Sequence, residues 1–481
     1  MWWVYLLCSF AGLLFLLIAV LLIRTLNFKP KFEQPINPET IEFDKNQAVK
    51  CLQTLIQCKT VSDYDKAKED DNEFKKLIEL LPILYPNVYA KTEIKDFGDR
   101  ALMFKWKGLT DGKPSVFMSH FDVVSVEEDK WSKPPFAGII ENDVLWGRGT
   151  LDTKVTFNST LFAVNHLIGQ GFTPERDVYL AFSGSEEVNG KDAYNMMNYF
   201  KENNIELEMV IDEGGAVVNN VFPGVSEPCA LVGIAEKGMM NVKYTVNSSG
   251  GHASAPKPNS PLVVLAKATQ KLDKNPFKMH LTDPVSILFD TVGRKSTFLY
   301  RMIFANMWLF KGLLDILSKK TGGEMNSLFR TTIAITQAEG SKGINVIPPV
   351  ASISTNMRLN PMDSVKSATE VLKKTIDDDR INIEILASTE PSRISKVDTI
   401  GFDRIKTAIK GTWDNVLVSP YLMVQCSDCR HYGEISDRVY RFSAMAMTNE
   451  ERSTVHGNNE RIRLSQVEKS VEFYIRLIKS C

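Results

Sequence analysis

The chain has 481 residues, with 57 Lys and Arg against 58 Asp and Glu, and the resulting net charge of -1 leaves no basic footprint for nucleic acid. Its seven cysteines are too sparse for a disulfide scaffold and do not define a redox compartment. With only six histidines in that length, each one is conspicuous.

Residues 2–23 carry no charged side chain, a run long enough at about 1.5 Å per residue to cross a hydrocarbon core of roughly 30 Å. Trp2, Trp3 and Tyr5 at one end suit an interfacial aromatic belt, and Arg24, Lys29 and Lys31 at the other suit a charged flank. The marks of a cleaved signal peptide (basic start, shorter apolar stretch, small-residue end) are not clear. Residues 1–24 are therefore expected to be a single transmembrane anchor, followed by a linker over 25–40 with prolines at 30, 35 and 38. The flanking charges point the rest of the chain toward the cytosol, whereas sequons at Asn158 and Asn247 permit a luminal placement.

Beyond the linker, about 440 residues are more than one core usually serves, so two domains are expected. Residues 41–236 alternate helical stretches with short apolar strands at 115–124, 178–183 and 209–212, the rhythm of a sheet covered by helices. Near Lys237 the pattern changes to strand 240–246, helix 261–272, strands 331–336 and 351–359, helix 364–376 and strand 381–386. This βαββαβ unit is read as an insertion over 237–389, with 390–481 returning to the first domain. Within it, residues 277–323 are unusually apolar, with Phe298, Leu299, Met302, Trp308, Leu313 and Leu317. Packing inside the second domain is the plainest expectation for them; a dimer contact, a membrane contact and an acyl-chain pocket are the alternatives.

Several polar residues fall at the predicted strand ends, where open α/β sheets place their ligands. In His120-Phe-Asp122, positions two apart share a face, so His120 can bind metal while Asp122 orients its ring. A glycine-bracketed turn delivers Asp152, either to bridge two cations or to cap the helix that starts near Lys154. The adjacent carboxylates Glu186 and Glu187 repel unless a cation lies near, and then one can ligate while the other serves as general base; a solvated acidic turn is the plain alternative. Asp212 at the end of an apolar strand and His456 far along the chain complete two sites of N and O ligands such as zinc accepts. Cys426 and Cys429, spaced CxxC without a second pair, suit a local disulfide or two free thiols better than a structural zinc.

These ordered motifs, spread over residues 45–475, resemble the di-zinc carboxypeptidase/aminoacylase metallopeptidase family, in the branch of carboxypeptidase S and the N-fatty-acyl-amino-acid synthase/hydrolase. The resemblance implies a mixed-sheet α/β catalytic domain carrying an inserted lid/dimerisation domain. It implies two Zn2+ ions, one held by His120, Asp152 and Asp212 and the other by Asp152, Glu187 and His456, with Asp122 orienting and Glu186 as base. Ser249-Gly-Gly-His252 resembles the family turn whose imidazole stabilises the oxyanion, often across a dimer. Asn345 and Arg358 match the strand pair that grips the substrate carboxylate, and a guanidinium suits that task by donating two parallel bonds. Residues 425–432 depart from the family pattern, with cysteines where hydroxyls are common. The implied substrates are peptides with a free C-terminus or N-acyl amino acids; a catalytically silent, membrane-tethered scaffold is the alternative.

Overall fold

The computed structural model describes residues 2–32, 36, 38–98, 100–222, 224–274 and 276–481, so positions 33–35 and 37 of the expected linker, Pro35 among them, lie outside the described residues. An apolar helix, Trp2–Asn27, runs past the expected boundary at residue 24, and its length and mean hydropathy of 3.0 suffice to cross a membrane.

The main sheet has eight strands in the order Glu93–Asp96, Leu102–Trp106, Val178–Ser183, Ser115–His120, Met209–Val218, Val439–Met447, Cys229–Glu236 and Leu417–Met423. It is mixed, with Ser115–His120 parallel to both Val178–Ser183 and Met209–Val218. Every residue of Ser115–His120 and Val178–Ser183 is buried, because helices cover both faces. On one side lie helices Lys154–Gly169 and Leu464–Lys479 with Phe157, Leu161, Tyr474 and Leu477 in the core; on the other, helix Asp192–Glu202 contributes Met196, Met197 and Phe200.

A second sheet, fully antiparallel, orders Thr332–Glu339, Val350–Leu359, Gly238–Asn247 and Ile381–Thr389. Burial alternates along Gly238–Asn247, so one face packs Met240, Val242 and Tyr244 onto helices Pro261–Asp273 and Val365–Ile376, and the other face is more open.

The apolar insertion does not pack inside this second unit. Val285, Leu288, Phe289 and Val292 of helix Asp283–Lys295 join Val218, Phe222 and Leu422, a cluster built on the edge of the main sheet. The small sheet has only one face to bury, and its two helices already cover it, whereas the edge strand Leu417–Met423 offers free apolar surface. Segment 237–389 therefore feeds two cores. The sequon at Asn158 is also closed to glycan: its side chain is buried, accepting from Tyr85 Oη at 2.7 Å and donating to the Ala48 carbonyl at 3.2 Å.

Candidate metal centre

Parallel pairing sets the site. His120 lies opposite Ser183 in register, so the chain leaving each strand delivers Asp122 and the Glu186-Glu187 turn to the same end of the sheet. Asp122, fully buried, organises that end: its Oδ1 and Oδ2 accept from the backbone N–H groups of Glu186 and Glu187 at 3.2 and 3.1 Å, and Ser62 Oγ donates to Oδ2 at 2.6 Å. Asp122 Oδ1 also lies 3.3 Å from His120 Nδ1, which leaves His120 Nε2 facing the cluster.

Asp152 does not cap the following helix; its Oδ1 sits 3.2 Å from His120 Nε2 and its Oδ2 sits 3.0 Å from His456 Nε2. Glu187 Oε2 is 3.1 Å from the same His456 nitrogen. His456 adopts φ of 58°, a left-handed conformation that His tolerates better than branched residues do, and its Nε2 reaches the cluster while the side chain stays half exposed.

Asp212 is not among the residues gathered in this cluster. The strand expected to end there continues to Val218, with a register break against Val439–Met447 just past Asp212 that lets the two neighbouring carboxylates diverge. Glu213 reaches the cluster, its Oε1 3.1 Å from His120 Nε2. Asp212 turns away to accept from the backbone N–H of Cys429 at 2.9 Å, fixing the 427–434 segment. Two groups result, His120 with Asp152 and Glu213, and Asp152 with Glu187 and His456, each with its donor atoms within 4.8 Å of one another.

The electrostatics suit a cation. Burial, then the charge of Asp152, pushes the Glu213 carboxyl up to about 8, and the same two causes raise Glu187. Burial raises Glu186 well above the carboxylate range. Bonds to Asp152 and Glu187 push the His456 imidazole up to about 11. The set of imidazole nitrogens and carboxylate oxygens fits a divalent metal such as zinc, and the buried Glu187 Oε1 has no hydrogen-bond partner among the described residues.

His252 and Asn345 are not brought to this cluster within the chain: both are exposed on the two-stranded ribbon Gly251–His252 and Val346–Ile347 and the turn beside it, with His252 Nδ1 on Ser254 Oγ at 2.8 Å. Arg358 does approach, its Nη1 3.4 Å from the Sγ of Cys426, which lines a cavity shared with Asp152 and Glu213. Cys426 and Cys429 are both free thiols.

A model of peptidase family M20/M25/M40 matches residues 116–480. The chain belongs to this family. Over 484 residues, 97% of this chain and 92% of the relative, it is 35% identical to a probable carboxypeptidase S-like 2 of Dictyostelium discoideum. It is 32% identical to the N-fatty-acyl-amino acid synthase/hydrolase PM20D1 of Xenopus tropicalis, over 99% and 94% of the two chains. Among solved structures, the M20 family metallo-carboxypeptidase Sso-CP2 from Sulfolobus solfataricus matches with a TM-score of 0.66 at 20% identity, covering 90% of this chain and 98% of that one, a likeness of fold. An M20 enzyme is thus the reading supported, and the silent scaffold is not favoured.

Two further residues of this cluster, Glu213 and Glu460, carry no local motif. Glu213 was hidden by its neighbour, and only reading the strand through Gly214 and Gly215 would have separated the pair. Glu460 follows His456 by four and looks like loop polarity. Fully buried, it accepts from Leu151 N–H at 2.7 Å, Gly149 N–H at 3.1 Å and Asp152 N–H at 3.2 Å, and pairs with Arg148 at 2.7 Å. It holds the Asp152 turn from behind. Glu460→Gln leaves Arg148 buried without its counter-charge and is expected to cost about 3–5 kcal/mol. Urea unfolding of the two proteins side by side measures this; an unchanged midpoint would mean that the backbone bonds alone hold the turn.

Proposed function

We propose that this M20 chain is a di-zinc amidohydrolase that splits the amide of N-acyl amino acids beside the free carboxylate, with the reverse condensation open to the same site. One zinc is assigned to His120, Asp152 and Glu213, and the other to Asp152, Glu187 and His456. The observation that carries the substrate class is a cavity of about 700 Å³ whose lining runs from Asp152 and Glu213 to Phe222, Leu288, Met325 and Leu328. Its size suits a small-molecule ligand, and these four side chains give it an apolar patch among polar residues such as Asn219, Asn220 and Glu324.

Bound zinc supplies Lewis acidity to the amide carbonyl and lowers the pKa of the attacking water. Glu186 takes the proton from that water as its oxygen bonds to the acyl carbon, then returns the proton to the amine nitrogen as the carbon–nitrogen bond breaks. Arg358 receives the substrate carboxylate at the mouth beside Cys426, with Asn345 assigned to the same grip. His252, exposed on its ribbon, is assigned to stabilise the oxyanion of a neighbouring chain in a homodimer formed by the 237–389 lid unit, because nothing within its own chain brings it to the amide. Residues 41–236 and 390–481 make up the catalytic domain in this reading, and Trp2–Asn27 is its membrane anchor, with a luminal or extracellular catalytic side.

The peptide reading, release of a C-terminal residue, shares the carboxylate grip and is supported by the name of the Dictyostelium relative. The two are separated by supplying the zinc-loaded chain with N-oleoyl amino acids and with blocked dipeptides. Faster turnover of the oleoyl substrates is expected, with Arg358→Met lowering kcat/KM about 10- to 100-fold through loss of a charge-assisted bond pair. Preference for dipeptides would install the second reading, and inactivity on both would sink the amide assignment.

A further inference from the structure

Helix Met307–Thr321 is built inside out. Its polar residues Asp315 and Ser318 turn toward the protein, where both bond to the guanidinium of the fully buried Arg330. Its apolar residues Trp308, Leu309, Leu313, Ile316 and Leu317 point outward and are 41 to 64% exposed. At 100° per residue these five fall within one half of the helix together with Gly312, Lys319 and Lys320 share that half at its C-terminal end, and Lys311 is exposed outside it. A soluble protein has no use for this arrangement, since water should meet the polar side and the core the apolar one.

The N-terminal helix shows what covers the face. Arg24, the first charge after the apolar run, donates through Nε and Nη2 to the Ala305 carbonyl at 3.2 and 3.1 Å. Asn306 Nδ2, fully buried, donates to the Leu21 carbonyl and to Thr25 Oγ1, both at 3.3 Å. Lower down, Lys31 pairs with Asp290 at 3.0 Å and Arg294 lies over the Phe28 ring. The corner that starts the inverted helix is therefore fastened to the point where the apolar helix ends. If residues 2–23 lie in hydrocarbon, Arg24 marks the headgroup level, and Ala305 and Asn306 lie at that level too.

We infer that the outward face of Met307–Thr321 seats in the surface of the same bilayer that holds the N-terminal helix, with its lysines at the phosphates. The occupant is a lipid leaflet. An interfacial helix of this kind has an apolar face buried in the headgroup–acyl boundary and lysines on its flanks. Leu288 of the same insertion, with Met325 and Leu328 just past its end, lines the cavity that reaches Asp152 and Glu213. The inference rests on the reading of Trp2–Asn27 as an anchor, and the test separates the two.

The full chain is reconstituted in phosphatidylcholine vesicles that contain a phospholipid with a diazirine on its acyl chain, irradiated, and digested for peptide mapping. Label is expected on 2–23 and also on 308–317, and Leu313→Gln/Ile316→Gln is expected to cut the second several-fold while leaving the first unchanged. Label confined to 2–23 overturns the inference and leaves the anchor standing; label on neither stretch removes both. An amine-reactive cross-link between Lys311 and Lys319 of two chains, with 308–317 unlabelled, would make a second copy the occupant and overturn the lipid seat.

Discussion

Glu186→Gln is expected to keep its full complement of metal and to lose turnover by about 100- to 10,000-fold, the range that a positioned general base contributes. The geometry explains why the two effects separate. Glu186 belongs to neither donor group, and its backbone N–H, which Asp122 holds, is untouched by the substitution. Arg430 Nη1 lies 4.0 Å from its Oε1, so the amide side chain keeps a polar neighbour. Metal content by mass spectrometry and kcat on the same preparation are the two readings. Loss of metal together with activity would place Glu186 among the ligands and reopen the choice of base.

The second expected result sets the two neighbours on one strand against each other. Glu213→Gln should weaken metal binding by 10-fold or more, because it removes the carboxylate facing His120. Asp212→Asn should leave metal binding near its original value and instead loosen the 427–434 segment that its carboxylate pins through Cys429 N–H. Titration of the metal-free variants distinguishes them, and equal losses would mean that the two carboxylates do not diverge as described. A pH dependence follows from the same residue. The folded protein raises Glu213 from 4.5 to about 8 and His456 from 6.5 to about 11, so in the metal-free state each holds its proton more tightly folded than unfolded. The contribution of these two groups to stability is therefore present at low pH and is lost as pH rises, for Glu213 between about 4.5 and 8 and for His456 between about 6.5 and 11. Metal competes for the same atoms, so binding should release protons and strengthen from pH 6 to pH 8. Calorimetric titration in two buffers of different ionisation enthalpy measures the release.

If the lipid seat of Met307–Thr321 holds, a long acyl chain need not leave the membrane to reach the zinc ligands. The apolar insertion would then contribute both to the cavity wall and to its placement, which connects the two alternatives, membrane contact and acyl-chain pocket, that its composition left open.

Much of the site was written in local patterns. His120 with Asp122, the turned Asp152 and the Glu186-Glu187 pair are short motifs at the ends of apolar strands, and a strand end is visible wherever alternation or an apolar run stops. The α/β rhythm, the six elements of the small-sheet unit and the apolar N-terminal run were legible for the same reason: each is a periodic pattern within one segment. Only the tertiary structure brings Glu213 rather than Asp212 beside His120 Nε2, since that placement depends on where the strand continues and which neighbour it pairs with. Glu460, buried behind the Asp152 turn, acts across more than three hundred residues of chain, and no local pattern records such a contact. The insertion is apolar in composition, but composition is blind to direction: Leu288 and Phe289 are buried while Trp308 and Leu313 are exposed. Which way its helices face is a matter of tertiary contacts: Asp315 and Ser318 turn to the buried Arg330, because a buried charge must be satisfied, and the apolar residues of the same helix take the outer side.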